Sequence, residues 1–470
     1  MIREGFQPDF PPQVIHDVLS LCAATGLDGG VRDLRALLWS SIDNTESRDL
    51  DQIEWAEQKP DGHIRVLVGI ADVDAVVAAN SATDGHARTN ATSVYTGGPV
   101  FPMLPARLST DLTSLGPDAD RRAVVMEFVV GSDGHVDCYD VCRALVRNHA
   151  QLNYDQVGSW LESLSPAAAA PFKPAGLSEQ LLLQHEASRR LKAFRKEHGA
   201  LVLNGGDNVP IVVDNSVREI AMVRENAARD LIESFMVAAN VAMAEFLRAR
   251  NSLCLRRIVR APKRWDRIQA LAAPLGVKLP DAPDARALGE FLAQRRQADP
   301  DHFPELSLGV LKSLGPAEYT VEHPGDEHEG HFALAVQDYS HATAPNRRYA
   351  DLTMQRLLKA SLAGSPAPFS ENALSDLASH CTERETAARH VERFMTKVAA
   401  AILLAPRVGQ VFDAMVTGVS PKGTFARLLT VPAEGRIMRG ERGLDLGDRI
   451  RARLAGVDAG KGFIDLETAR

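Results

Sequence analysis

The strongest constraint on the fold is a change of sequence pattern near residue 405. Residues 371–404 place apolar side chains at helical spacing along the whole stretch. Beyond Arg407, short β-type runs are separated by glycine and proline turns, in the segments QVFDAMVTGV, GTFARLLTV, DRIRARLAGV and KGFIDLE. Short, evenly spaced strands of this kind predict a small barrel. We therefore expect a long helix that leads into a separate C-terminal β-barrel.

The part of the chain before this helix mixes both kinds of secondary structure. PPQVIHDVLSLCAATGL predicts a helix that begins at proline and ends at glycine, so residues 1–30 are expected to form a helical extension. HIRVLVGIADVDAVV and RRAVVMEFVVG alternate as strands do, and residues 229–248 have helical spacing. The fold class predicted is mixed, α+β, and 470 residues correspond to about three folding units.

Composition argues against a membrane or secreted protein, but it does not decide whether the chain binds nucleic acid. Hydrophobic content is 45%, and no apolar run has membrane-spanning length. The N-terminal MIREGFQPDF carries acids, proline and glycine where a signal peptide needs an apolar core, so we expect a cytoplasmic protein without a membrane partner. Net charge is −8, yet residues 248–267 contain eight basic side chains and one acid. This stretch could be a track for phosphates or a solvated helix face.

The segment SIDNTESRDLDQ has the strongest chemical signal. Asp43, Asp49 and Asp51 fall close together, and in an extended chain Asp49 and Asp51 point to the same face. A loop after Asp43 can return its carboxylate toward the other two. Hard cations such as Mg²⁺ prefer oxygen ligands, and two such cations can promote phosphodiester hydrolysis. An acidic surface turn would give the same spacing, so the residues alone leave both interpretations open.

The same segment resembles the RNase II (RNB) family, in which an I-D pair is followed after five residues by D, one residue, and D-D. The resemblance implies that Asp43, Asp49 and Asp51 ligate Mg²⁺ at a two-metal site that Mn²⁺ can also occupy, with Asp51 acting in catalysis. Gln52 stands where the family usually has a further aspartate. An amide oxygen can ligate Mg²⁺ but brings no charge, so Gln52 is expected to be a weaker ligand.

Two further segments are similar to the same family. In TSVYTGGPVFPMLPARLSTDLTSL, the resemblance implies that Tyr95 stacks on bases near an RNA 3′ end; packing within a Pro/Gly loop is the alternative. The stretch 311–352 ends in HATAPNRRYADL, where Arg347 matches a phosphate-contacting arginine. Asn346 departs from the family isoleucine there. The alternative for Arg347 and Arg348 is a surface charge pair that opens a helix.

The helix CTERETAARHVERFM resembles the family helix with a late E-R pair, which implies that Glu392 and Arg393 contact RNA. The spacing of Glu385, Arg389 and Arg393 also fits simple i,i+4 pairing on a helix. LIESFMVAANVAMAEFL, residues 231–247, matches another family helix. These resemblances occur in family order over residues 30–400.

Residues 407–470 resemble an S-one RNA-binding domain, which is a five-stranded OB-type barrel. The resemblance makes Phe425 a stacking surface for RNA and Lys422 a phosphate contact. Phe425 in the barrel core is the alternative. The expected domains are the extension at 1–30, an RNB catalytic domain at 31–404, and the S-one domain at 405–470. Family members commonly carry two cold-shock barrels before the catalytic domain, and we expect this chain to lack them.

The resemblance implies a 3′→5′ exoribonuclease that hydrolyses single-stranded RNA processively from its 3′ end, with some access to structured RNA. The expected products are nucleoside 5′-monophosphates, and the expected state is a monomer with no inferred protein partner. Two alternatives stay open. Gln52 suggests an RNA-binding protein with a weakened RNB site. A single-stranded DNA exonuclease is the other, because the sequence does not show which groups would contact the 2′-hydroxyl.

Overall fold

The structure is a computed structural model that describes residues 1–27, 29–163, 172–203, 208–213, 216–222, 224–300, 302–323, 330–421, 423–445 and 447–469. Helices and strands alternate through the body of the chain, and the C-terminal part consists of strands. This mixed architecture confirms the predicted fold class. In the described ranges, no helix is long and apolar enough to cross a membrane.

A curved sheet forms the centre of the body. Its strands are β1 Arg32–Asp33, β2 Trp39–Asp43, β3 Gln52–Gln58, β4 Ile64–Ala71, β7 Asp120–Val130 and β8 Val136–Asn153. Two short strands, β5 Val94–Tyr95 and β6 Val100–Phe101, form a separate hairpin. The strand order is β1-β8-β2-β3-β4-β7, and β7 also pairs with β8, so the sheet curls back on itself. β2 runs parallel to β8 and antiparallel to β3, so the end of β2 lies beside the start of β3.

Helices pack on this sheet and around it. Their bounds are α1 Pro12–Ser20, α2 Ala82–Asn90, α3 Tyr154–Ser163, α4 Leu177–Glu197, α5 Ala227–Ala249, α6 Trp265–Ala272, α7 Ala285–Ala298, α8 Phe303–Leu311, α9 Tyr349–Leu362 and α10 Glu371–Leu404. α5 supplies many buried apolar side chains, including Phe235, to a core that also contains Trp39 and Phe128 of the sheet. On α4, the Gln180 amide accepts a hydrogen bond from the Ala56 backbone N–H and donates one to the Ala56 carbonyl, which ties α4 to β3.

The N-terminal helix is shorter than the sequence predicted. α1 begins at Pro12, as expected, but ends at Ser20, well before Gly26. The guanidinium of Arg107 donates hydrogen bonds to the carbonyls of Leu19 and Leu21, both at 3.2 Å. A basic side chain that binds the last carbonyls of a helix stabilises its end there. Long-range contacts of this kind are not visible in the local sequence pattern.

The basic stretch 248–267 is not one continuous exposed face, because its middle is buried. Earlier in the chain, β9 Asn208–Val213 and β10 Ser216–Met222 form a separate hairpin. The centre of the basic stretch is strand β11, Cys254–Val259, which pairs with β12, Ala317–Glu322. Arg256 is buried in ion pairs with Glu322 and Asp338, and Arg257 donates to Glu385 at 2.6 Å. Internal acids therefore neutralise the middle of this stretch.

The described C-terminal residues form a closed barrel of five strands, which confirms the prediction. The strands are β13 Val411–Ser420, β14 Gly423–Leu428, β15 Glu434–Arg439, β16 Arg449–Asp458 and β17 Phe463–Thr468, in the order β13-β14-β15-β17-β16. The sequence runs identified all of them except β15, whose EGRIMR has few β-type side chains. Ala400, Ala401 and Leu404 at the end of α10 pack into the barrel core.

Candidate active site

Asp51 is the centre of the site, and residues far apart in the chain hold it. It lies one residue before β3 and is buried. Its Oδ1 accepts hydrogen bonds from the backbone N–H of Asn346 at 3.2 Å and from the Asn346 side-chain amide at 2.9 Å. Thr113 donates to Asn346 Oδ1 at 2.6 Å. Asn346 entered the sequence analysis only as a departure from the family isoleucine, so its role in positioning Asp51 was missed.

The loop between β2 and β3 is held against a neighbouring segment. The backbone N–H of Leu50 donates to Ser114 Oγ at 3.1 Å, and Ser114 Oγ donates to the Arg48 carbonyl at 2.7 Å. The N–H of Leu115 donates to the Leu50 carbonyl at 2.9 Å. These contacts return the loop toward the end of β2, where Asp43 lies. The geometry therefore brings Asp43 and Asp51 to one place, as the spacing suggested.

Burial dominates the surroundings of the carboxylates and outweighs the nearby charge of Arg347. Burial raises the pKa of Asp51 to about 7, opposed by the charge of Arg347 and the hydrogen bonds from Asn346. Burial also raises the pKa of Asp43 to about 7, against the hydrogen bond from Gln52, and the charges of Asp51 and Asp49 add to the effect. Asp43 Oδ2 is buried and has no hydrogen-bond partner among the described residues. An added cation would relieve all of these effects.

Gln52 contacts Asp43 directly. Its Nε2 donates to Asp43 Oδ1 at 3.2 Å. An ionised carboxylate can only accept, so Gln52 presents the N–H side of its amide to Asp43. In this structure Gln52 orients Asp43, and its role as a metal ligand stays a prediction.

The residues present fit a hard cation by their chemistry. Asp43, Asp49 and Asp51 offer carboxylate oxygens, and one buried oxygen of Asp43 lacks a donor. No group of three or more His, Cys, Asp or Glu side chains in the described part of the chain is arranged as a preformed metal site. A cation bound here would therefore have to draw the carboxylates closer together.

Arg347 and Arg348 differ in their surroundings although they are neighbours in sequence. Arg347 Nε lies 3.6 Å from Asp51 Oδ2, and its side chain is 47% exposed. Arg348 precedes α9 and donates to Asp351 Oδ1 at 2.7 Å and to Thr343 at 3.3 Å. Asp351 is fully buried. Arg348 therefore stabilises the start of α9, whereas Arg347 presents charge beside the carboxylates.

The Tyr95 hairpin lies beside Arg347. The backbone N–H of Ser93 donates to the Arg347 carbonyl at 3.0 Å, and the N–H of Tyr95 donates to Glu392 Oε1 at 3.0 Å. Tyr95 is 41% exposed, so its ring is available on one side. Partial burial of its hydroxyl raises the pKa of Tyr95 to about 12, with Arg347 opposing and Asp49 among the acids that add to it. Tyr95 therefore lies next to the carboxylate cluster.

Glu392 and Arg393 on α10 have different contacts. Glu392 accepts a hydrogen bond from the backbone of the hairpin, and its contact with RNA stays a prediction. Arg393 is exposed, and its Nε donates to the Arg389 carbonyl at 3.1 Å. Arg389 in turn pairs with Glu385, four residues earlier. Glu385 and Arg389 thus form a helix-stabilising pair, whereas the side chain of Arg393 is exposed to solvent.

Phe425 lies on the outer face of the barrel. In β14 it alternates with the buried residues Thr424, Ala426 and Leu428, so its side chain is directed away from the core. Its partner across the sheet is Arg436 of β15, which is exposed. Arg436 was not predicted because the sequence pattern did not indicate β15. Lys422, the other predicted contact, lies outside the described residues.

The fold and the site define an RNB-domain protein. The model of the RNB domain matches residues 31–364, and that of the RNase II-type exonuclease C-terminal S1 domain matches residues 410–469. The chain belongs to the RNB-domain family, as the sequence motifs predicted. Ribonuclease R of Escherichia coli K12 is 30% identical over 449 residues, which cover 92% of this chain and 54% of that protein. The chain thus spans about half the length of the curated relatives it matches.

Two solved structures of Mycoplasma genitalium RNase R have the same fold. The complex with ribose methylated single-stranded RNA has a TM-score of 0.90 at 24% identity and covers 100% of this chain and 77% of that one. The complex with double-stranded RNA has a TM-score of 0.88 at 25% identity and covers 100% of this chain and 82% of that one.

Proposed function

We propose that this chain is a metal-dependent 3′→5′ exoribonuclease that removes nucleotides one at a time from single-stranded RNA. The observation that carries the proposal is the convergence of buried carboxylates, an exposed guanidinium and an exposed aromatic ring. Asp43 and Asp51 lie with Arg347, and the Arg347 carbonyl binds the hairpin of Tyr95. Membership of the RNB-domain family and the likeness to RNase R support the same activity.

Each residue has a role that follows from its position. Asp43, Asp49 and Asp51 would hold Mg²⁺, for which Mn²⁺ can substitute, with Gln52 as an uncharged neighbour. Bound divalent cations supply the charge that activates the attacking water and stabilises the leaving oxygen. Asn346 keeps Asp51 oriented by two hydrogen bonds.

The substrate would be held on the open side of the carboxylates. The guanidinium of Arg347 can bind phosphate oxygens through a fork of N–H donors and stays charged at any working pH. The ring of Tyr95 can stack on a terminal base, a contact that tolerates any base sequence. Attack of water on the last phosphorus releases a nucleoside 5′-monophosphate and leaves a new 3′-hydroxyl. Repetition of this step shortens the RNA, and such an enzyme would meet its substrates in the cytoplasm.

The experiment that tests the function uses RNA and DNA oligomers of one sequence, labelled at the 5′ end. With Mg²⁺, the RNA should yield a ladder that shortens from the 3′ end, and thin-layer chromatography should show nucleoside 5′-monophosphates. Chelator should stop the reaction, and the DNA should stay intact. RNA that is bound but never shortened would favour the RNA-binding alternative, and equal shortening of DNA would favour the DNA exonuclease.

Replacement of Tyr95 by alanine should lengthen the final product. The substitution removes a stacking surface, and each stacked base contributes roughly 1–3 kcal/mol to binding. The last few nucleotides would then dissociate before cleavage. The measurement is the limit product on a denaturing gel, and Tyr95→Phe, which keeps the ring, should give the wild-type length. Identical limit products for wild type and Tyr95→Ala would assign Tyr95 to packing.

The outer face of the barrel should contribute to RNA affinity through two neighbouring residues. Phe425→Ala and Arg436→Ala should each raise the Kd for a single-stranded RNA about tenfold. Phe425→Ala removes a stacking surface, and Arg436→Ala removes a phosphate contact. Arg451→Ala, at an exposed position on β16, is the control and should change the Kd little. Fluorescence anisotropy in chelator measures binding without cleavage. Equal effects of all three variants would exclude a specific RNA face at β14–β15.

A further inference from the structure

Glu54 is a buried acid beside the candidate active site to which the sequence motifs assign no role. It lies on β3, two residues after Gln52, and pairs across the sheet with Ser40 of β2. It is fully buried, and neither of its carboxylate oxygens has a hydrogen-bond partner among the residues that the structure describes. A buried carboxylate without a partner is strongly unfavourable unless something else compensates its charge.

The geometry of β3 turns Glu54 toward Asp43. Side chains two residues apart on a strand lie on the same face, so Glu54 shares a face with Gln52. Gln52 reaches Asp43 with its amide at 3.2 Å. The face that carries Glu54 is therefore the one directed at Asp43. The carboxyl of Asp43 is close enough for its charge to act on Glu54.

Among the described residues, no basic side chain forms a hydrogen bond with Glu54. Arg229 on α5 stacks on the ring of Tyr154 at 4.3 Å and donates to Asn44 Oδ1 at 3.3 Å. Both oxygens of Glu54 and one oxygen of Asp43 are thus buried together without donors in the described residues. All three acceptors are buried, and the neighbouring Gln52 brings no charge to compensate for a missing aspartate.

We propose that Glu54 supplies the negative charge that Gln52 does not provide to the cation site. The proposal rests on the proposed function, whose cation Glu54 helps to hold. Glu54 acts from the buried side of Asp43 and does not touch the RNA, so it is a positioning residue. Its charge acts through low-dielectric surroundings, where it is screened far less than at the surface. The site then has four carboxylates, Asp43, Asp49, Asp51 and Glu54.

The test measures Mn²⁺ binding to the metal-free protein without RNA, by electron paramagnetic resonance. Glu54→Gln keeps the shape of the side chain and removes the charge, and it should weaken Mn²⁺ binding about tenfold or more, as loss of a supporting residue around a metal site commonly does. Glu57→Gln is the matched control, because Glu57 lies on the exposed end of the same strand. It should bind Mn²⁺ as the wild type does.

Thermal unfolding in chelator separates this effect from misfolding. Glu54→Gln should have a Tm equal to or above that of the wild type, because it removes an uncompensated buried charge. The double variant Gln52→Asp, Glu54→Gln should recover most of the Mn²⁺ affinity, since it returns one negative charge to the same face of β3. Wild-type Mn²⁺ binding by Glu54→Gln, or a failure of Gln52→Asp to restore binding in a folded double variant, would overturn the proposal.

The outcomes also separate this proposal from the proposed function. Mg²⁺-dependent RNA shortening by a Glu54→Gln variant with unchanged Mn²⁺ affinity would overturn the role of Glu54 and leave the exoribonuclease in place. Weakened Mn²⁺ binding in Glu54→Gln, together with a wild-type protein that never shortens RNA, would support the role of Glu54 and refute the exoribonuclease.

Discussion

Asp51→Asn should abolish RNA shortening while RNA binding is retained. The substitution keeps an oxygen that can accept from Asn346 but removes the charge at the centre of the cluster. Cation binding and water activation both depend on that charge. Loss of about 4 kcal/mol of transition-state stabilisation corresponds to about a 10³-fold lower rate, and we expect at least that reduction in kcat. Single-turnover cleavage of a labelled RNA measures the rate, and anisotropy in chelator measures the binding.

The control for this substitution is Asp376→Asn, at an exposed position on α10. It makes the same chemical change and should leave the rate unchanged. The Tm of Asp51→Asn in chelator should not fall greatly, since the variant relieves a buried charge. Near-normal turnover of Asp51→Asn in Mg²⁺ would show that the carboxylate cluster is not the catalytic site.

Arg347→Ala should lower the rate of cleavage by about 10²–10³-fold, the usual cost of removing one donor to developing charge in a transition state. The side chain is 47% exposed, and its ion pair with Asp51 is long, at 3.6 Å, so the fold should tolerate its loss. Arg347→Lys should recover only part of the rate, because an ammonium lacks the planar fork that binds two phosphate oxygens. Single-turnover rates and the Tm are the measurements.

Arg348→Ala, at the next residue, should lower the stability of the fold, whereas Arg347→Ala should lower the rate of cleavage. Arg348 pairs with the buried Asp351 at 2.7 Å, so its removal leaves an uncompensated buried charge. Such losses cost about 3–5 kcal/mol of stability, and the Tm should fall clearly. If Arg347→Ala lowered the Tm and left the rate intact, Arg347 would have a structural role and not the one assigned to it.

The sequence predicted the parts of the fold that depend on local pattern. The helix at 371–404 has the predicted bounds, and local pattern identified four of the five strands that form the barrel in the described residues. The aspartate segment lies between two strands, where its loop returns toward Asp43. In each of these places, local periodicity and the family motif indicate the same structure.

The features that the sequence did not predict depend on contacts between distant segments. Asn346 differs from the family residue, and only the fold shows that it holds Asp51 across 295 positions of sequence. Glu54 is one of two glutamates in β3, and only its complete burial without a hydrogen-bond partner among the described residues distinguishes it from Glu57. The end of α1 depends on Arg107, which is remote in sequence. Arg436 was hidden because β15 has few β-type residues.

The long helix α10 connects the Tyr95 hairpin to the barrel. It has 34 residues and is about 51 Å long. Glu392 in its second half holds the Tyr95 hairpin, and Leu404 at its end is packed inside the barrel. The eleven residues between them make about three turns of continuous helix. A helix cannot change its length, or twist one end relative to the other, without breaking its backbone hydrogen bonds. It therefore acts as a rigid spacer. The spacing and the angle between the barrel and the tyrosine are set by residue count.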